Sequence, residues 1–242
     1  QIEASILSLT PVTETLKPEA VRPQVYRAEL EGAIVLRSRI VVPLSGSEAA
    51  QANAALAASA WNGLRIDAGE ELSFNQTVGL RTSEAGYQAA EEPAYGQNVS
   101  GVGGGVCQVS TALYRLALLG GLEIGERNAA VYPVDYCDVG QEAAVSDQGL
   151  DLKIVNSTGM PVFLTARVYA DGDGQTMELQ LIGLELDESY TLASETETIA
   201  PPEEPIYVRD SEGRYAAYSD ERIPVGEPMP GYRVTVRLIS ET

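Results

Sequence analysis

Apolar positions along this chain change their spacing part-way through, and the change divides it into a helical half and a stranded half. Residues 33–43 (Ala-Ile-Val-Leu-Arg-Ser-Arg-Ile-Val-Val-Pro) are β-branched and end at a proline, which predicts a strand. Ser45-Gly-Ser-Glu48 has capping-box spacing, and the alanine-rich run to Trp61 predicts a helix stopped by Asn62-Gly63. Residues 64–82 read as short strands and turns, Ser83 to Glu91 as a short helix closed by Pro93, and Gly96 to Gly105 as a glycine-rich loop. From Val106 to Leu119, Val106, Val109, Leu113, Leu116 and Ala117 recur at the 3–4 spacing of one buried helix face, ended by Gly120-Gly121. Beyond this point residues 128–137, 141–146, 150–156, 160–170 and 175–184 alternate or run apolar between turn residues, as strands do.

Helices segregated ahead of strands predict an α+β fold, two to three helices packed on a mainly antiparallel sheet. From about residue 186 the chain is acidic and proline-bearing, with strand-like pieces near 206–208, 214–217 and 232–239, a β-rich C-terminal extension. The expected organisation is a segment over residues 1–45, a core domain over 46–185 and the extension over 186–242.

Composition narrows the partners. Sixteen basic against 35 acidic residues leave a net charge of −19, which repels phosphate backbones and argues against nucleic acid and anionic membrane surfaces. No apolar stretch has the length of a membrane span, and Gln1 follows no basic-then-apolar leader, so the chain reads as a mature or excised fragment. No cofactor motif and no metal-ligand spacing are recognised, and no aspartate-rich loop matches a calcium site. Asn75, Asn98 and Asn156 open Asn-x-Ser/Thr triplets, which matter only in a glycosylating source.

The candidate chemistry centres on Gly103-Gly104-Gly105-Val106-Cys107-Gln108-Val109-Ser110-Thr111. A thiol in the first turn of a helix meets the positive end of the macrodipole and unpaired N–H groups, both of which favour thiolate. Backbone amides near Cys107 and the Gln108 side chain are candidate oxyanion donors. The proton acceptor has no evident holder, because the chain contains no histidine; the carboxylates Asp135, Glu142 and Asp151 match a thiol poorly. The opposing reading makes Cys107 a small buried residue at a helix–sheet contact, with the glycines letting backbone approach backbone. A phosphate cradle is a weak match, since no Lys-Ser/Thr follows the glycines. Cys107 and Cys137 are open to three arrangements: one bridge, two thiols, or one reactive and one buried.

These words resemble the VanW family. The resemblance is carried by Asn62-Gly63, Ser73-Phe74-Asn75, Gly79-Leu80-Arg81-Thr82, Gly86-Tyr87, the run Gly103 to Tyr114, Gly121-Leu122-Glu123-Ile124, Glu126-Arg127 and Asp151-Leu152-Lys153 with Asn156, in order over residues 46–170. It implies an extracytoplasmic, membrane-tethered protein of the cell surface or wall, flanked by wall-binding modules. Residues 1–45 then read as the tail of an upstream module, with the membrane anchor lying upstream. The implied partner is peptidoglycan or its precursors.

Two departures bear on activity. Where family sequences carry histidine after the Glu-Arg pair, this chain has Asn128-Ala129-Ala130-Val131, and where they carry Gly-x-Asp it has Gly140-Gln141-Glu142. A helix-start cysteine followed by histidine and aspartate is the order of transglutaminase-like thiol enzymes. The chain keeps Cys107 as nucleophile and Asp151 as a further catalytic candidate but lacks the imidazole, a loss that costs such sites orders of magnitude. A non-catalytic or degenerate wall-binding domain is therefore the leading expectation. A thiol-dependent acyl or amide transferase and a structural spacer are the alternatives. The expected binding groups are Gly103, Gly104, Gly105, Gln108, Ser110, Thr111, Arg81, Asn75 and Arg127, in a cleft between the glycine loop and the following strands. Arg81 and Arg127 suit peptide carboxylates, or else internal salt bridges. The aromatics near the motif, Trp61, Phe74, Tyr87, Tyr95, Tyr114, Tyr132 and Tyr136, are sugar platforms or core.

Overall fold

A computed structural model of the chain describes residues 33–94, 97–172, 174–201 and 230–241. The segment over residues 1–32, Tyr95 and the strand-like pieces near 206–208 and 214–217 lie outside them. Among the described residues no helix is long and apolar enough to cross a membrane.

The main sheet is antiparallel, in the order β1 (Ile34–Pro43), β9 (Gly174–Leu184), β8 (Val162–Asp171), β2 (Leu64–Ile66). β1 runs N-terminal to residue 46 yet pairs with β9 along its length, from Ile34 against Leu184 to Pro43 against Thr176. Alternation along β9 divides its faces. Met177, Leu179 and Leu181 are fully buried toward the helices. Glu178 is turned to the other face, where Arg39 of β1 and Arg167 of β8 hold its carboxylate.

Two helices cover the inner face. In α1 (Glu48–Ser59), Ala50, Asn53, Ala54, Ala57 and Ala58 form the buried stripe, and their small side chains let the helix lie close to its neighbours. Its N-cap is Ser47, whose Oγ accepts from Ala50 N, two residues beyond the start that the capping box at Ser45 suggests. α2 (Phe74–Val78) is a short turn of helix capped by Ser73. α3 (Cys107–Leu119) lies where the periodicity put it and buries nine residues from Gln108 to Ala117. Trp61 and Phe74 stack at 5.7 Å between ring centroids in the same core.

A second sheet, β3 (Glu71–Ser73), β7 (Lys153–Val155) and β6 (Glu123–Glu126), is likewise antiparallel. Two antiparallel strand pairs are also present, β4 (Ala89–Ala94) with β5 (Gln97–Val102), and β10 (Ser189–Ala200) with β11 (Gly231–Glu241). The fold is α+β, as the segregation of helical and strand periodicity predicted.

Several local expectations are corrected. Residues 83–91 are not a helix but a turn leading into β4, because Gly86 takes φ +95°, outside the helical region. Gly96 to Gly105 is not all loop, since β5 occupies Gln97–Val102. Residues 128–137 and 141–146 alternate like strands but form none; at Glu142 and Ala143 side chains rather than a neighbouring strand satisfy the backbone.

Candidate functional site

The three glycines are a packing device. A Cβ at Gly105 would stand 2.3 Å from the Ala50 carbonyl oxygen, one at Gly104 2.9 Å from the Ala90 carbonyl, and one at Gly103 2.8 Å from the Arg81 Cβ. Gly103 and Gly105 also take positive φ, +93° and +100°. The loop is thus wedged between α1, β4 and Arg81. It is locked there by buried Asn53, whose Nδ2 donates to Gly104 O and Gln88 O while its Oδ1 accepts from Gln88 N.

The polar side chains after the glycines are also turned inward. Gln108 is 4% exposed; its Oε1 accepts from Ser45 N at 2.8 Å and its Nε2 donates to Ser45 O. Ser110 Oγ donates to Ala143 O at 2.6 Å, and Thr111 Oγ1 accepts from Ala143 N at 3.0 Å. The segment at 143 is therefore stitched to α3 as a strand would be, but through hydroxyls.

Cys107 is half-buried, and its Sγ donates to the Val145 carbonyl at 3.6 Å. Cys137 is also half-buried, and no disulfide joins the two. Burial, and then the Glu142 carboxylate, push the Cys137 thiol up to about 11. Tyr136 lies near both sulfurs; burial raises its phenol far above the ordinary value, the two sulfurs add to this, and a hydrogen bond with Thr111 opposes it.

Asn75, Arg81 and Asp151 come together at the start of α2. Asp151 accepts from Ser73 Oγ at 2.5 Å and from the Asn75 and Leu152 amides, so its carboxylate serves as a helix cap. Asn75 Nδ2 donates to Ser146 O and Leu150 O, and its Oδ1 accepts from Arg81 Nη1 at 2.7 Å. Arg81 is 7% exposed and pairs with Asp147 at 2.7 Å, the internal salt bridge among its two readings. Residues 143–151 thereby form one strap that ties α3, through Ala143 and Val145, to α2, through Ser146 and Asp151, and to Arg81 through Asp147.

Arg127 stands apart from both clusters. Its Nε donates to Glu142 O and its Nη2 to Gly140 O, each at 2.7 Å, with Nη2 also 3.3 Å from Glu142 Oε1. Its guanidinium lies over the Tyr114 ring, 5.3 Å from the centroid. These groups belong to the wall of a cavity of about 580 Å³ between residues 127–142 and β11. Tyr132, Val139, Tyr232 and Val234 line it further, whereas Gly103, Gly104, Gly105 and Cys107 do not. Of the expected binding residues, Arg127 is the one in this wall. Among the described residues no group of three or more His, Cys, Asp or Glu is placed to hold a metal ion.

Sequence reasoning missed Asn53, the bonds of Ser45 to Gln108, the closeness of Tyr136 to both sulfurs and the contribution of β11. Asn53 left a signal, as the polar member of an otherwise alanine stripe. The β11 contribution left none, because its residues lie about a hundred positions from Arg127.

An antiparallel α+β core built around a glycine-wedged helix start is the class of domain these observations define. The family model described as VanW like protein matches residues 49–180, more than half of the chain, and the chain belongs to that family. It is 35% identical over 125 residues to the uncharacterized protein YoaR of Bacillus subtilis, covering 52% of this chain and 41% of YoaR. It is 34% identical over 111 residues to the vancomycin B-type resistance protein VanW of Enterococcus faecalis, covering 44% of this chain and 40% of that protein. The chain thus spans about two fifths of the length of each relative. No solved structure matches it.

Proposed function

We propose that this domain is an extracytoplasmic cell-envelope module that binds a wall component, or assists its assembly, without catalysing a reaction on it. The observation carrying this reading is the inward use of the motif's polar groups. Gln108, Ser110, Thr111, Asn75, Arg81 and Asp151 each spend their side chains within the domain, on backbone, on one another or on Ser73 and Asp147. An oxyanion hole needs donors aimed at a substrate, and the Gln108 amide is committed to Ser45. The sequence also supplies no imidazole. Kinship with a protein named for vancomycin resistance supports a role at the envelope, with peptidoglycan or its precursors as partner.

The test is co-sedimentation with purified wall sacculi, comparing the wild-type chain with Cys107→Ala. Equal retention of both, with no fragments released, is the expected result. Release of peptide fragments by the wild type that disappears in Cys107→Ala would establish the thiol-transferase alternative instead. Absence of retention for either would favour the spacer.

A further inference from the structure

The cavity beside Arg127 has a chemistry of its own. Arginine carries five N–H donors. On Arg127, Nε and Nη2 are committed to Gly140 and Glu142, and the two hydrogens of Nη1 have no partner among the described residues. Glu142, 6% exposed, accepts from Gly140 N through Oε2 and from Arg127 through Oε1. A carboxylate has about four acceptor positions, so capacity remains. One wall therefore offers both donors and an acceptor, fixed in place by bonds to backbone.

The facing surfaces are aromatic and aliphatic. Tyr114 has one ring face covered by the guanidinium, which leaves Tyr132 and Tyr232 as the platforms, and Tyr232 is 39% exposed. The far wall is held to the core independently of any ligand. Gln141 Nε2 donates to Ser194 Oγ of β10 at 2.9 Å, and a Cβ on Gly140 would lie 2.6 Å from Val234 Cγ1. About 580 Å³ falls within the roughly 300–1,000 Å³ usual for small-ligand sites.

Charge selects among ligands. Arg127 is already matched by Glu142, so a carboxylate or phosphate finds no surplus cation, and the −19 of the whole chain repels it on approach. A cation finds the carboxylate of this wall already paired with Arg127. A purely apolar ligand would leave the Nη1 donors unpartnered. What remains is an uncharged molecule with hydroxyl or acetamide groups and flat apolar faces.

Resting on the reading of this domain as a wall-binding module, we propose that the cavity between residues 127–142 and β11 binds a neutral saccharide, a mono- or disaccharide unit of a glycan. The sugar stacks on Tyr132 and Tyr232, accepts from Arg127 Nη1 through a hydroxyl or acetamide oxygen, and donates a hydroxyl proton to Glu142.

The experiment titrates the full chain with N,N′-diacetylchitobiose and, separately, with muramyl dipeptide and inorganic phosphate. Binding is read by calorimetry and by NMR at two salt concentrations. Saturable, salt-insensitive binding of chitobiose is expected. Loss of one stacked ring weakens sugar binding by about fivefold in Tyr232→Ala. Tyr232→Phe retains the ring and the binding, and Leu238→Ala, on the same strand but outside the cavity, leaves it unchanged. Circular dichroism checks that each variant is folded. Binding that is indifferent to Tyr232→Ala, or that prefers muramyl dipeptide or phosphate and weakens with salt, overturns the proposal. Failure of chitobiose to bind a chain that still sediments with sacculi overturns the saccharide assignment and leaves the wall-binding reading in place. Failure in both assays overturns both.

Discussion

Gly105→Ala is the sharpest test of how the motif is built. The added methyl would lie 2.3 Å from Ala50 O and 2.8 Å from Ala50 C, both main-chain atoms of α1 that no rotamer change can move aside. At φ +100° an alanine is also strained whatever the space. The strain contributes about 1–3 kcal/mol, and the overpacking a further ~1–3 kcal/mol. The expected destabilisation is therefore about 4 kcal/mol, or roughly 8–16 °C in melting temperature for a domain of this size. Gly63→Ala is the matched control, since Gly63 has φ +81° but nothing within 4 Å of the new methyl, and only the strain applies. Urea unfolding of both variants, read from the midpoint at constant slope, separates the contributions. If Gly105→Ala falls within about 0.5 kcal/mol of Gly63→Ala, the scale of an ordinary surface change, the wedge against α1 is refuted.

Three further outcomes are expected. Asn53→Ala leaves the Gln88 N–H, the Gln88 carbonyl and the Gly104 carbonyl short of their partner and costs about 2–5 kcal/mol by thermal or urea unfolding; a loss under about 0.5 kcal/mol would contradict this. In Cys107→Ser, iodoacetamide alkylation of Cys137 is slow at pH 8 and rises toward a midpoint near 11. Because the unfolded thiol ionises first, the native state loses stability as pH climbs through that window, and a midpoint near 8.5 would contradict the burial argument. Glu178, held down to about 2 first by its hydrogen bond with Arg39 and then by that with Arg167, contributes stability that is present above pH 4.5 and lost as pH falls toward 2. Glu178→Gln should flatten the acid limb of the stability profile there, and an unchanged limb would count against the cluster.

Where a segment's own spacing decided its conformation, the sequence could be read directly. α3 was legible because its buried stripe is long and its glycines stop it, and β8 and β9 because they run apolar between turns. α2 was not, since five residues carry no periodicity and its start is fixed by Asp151, far along the chain. Residues 128–146 misled because alternation predicts burial of one face, not the identity of the bonding partner. At Glu142 and Ala143, Ser110, Thr111 and Arg127 take the place of a neighbouring strand. Among candidate site residues, the motif's place at a helix start was foreseeable. That its polar groups would be consumed internally depends on Ser45, Asn53 and Ala143 meeting them in space, which one-dimensional spacing does not encode. The cavity was hidden for the same reason, because β11 supplies one wall and residues 127–142 the other.

The pairing of Ile34 with Leu184 has a temporal side. A ribosome lays down β1 and then adds on the order of 140 residues before its hydrogen-bonding partner β9 exists, a wait on the order of ten seconds at roughly 5–20 residues per second. Throughout that interval Ile34, Val35, Leu36, Ile40, Val41 and Val42 form an orphaned apolar ribbon, interrupted only by Arg37, Ser38 and Arg39. Those two arginines sit where they would discourage the nascent ribbon from pairing with copies of itself, before the Glu178 carboxylate arrives to claim one of them.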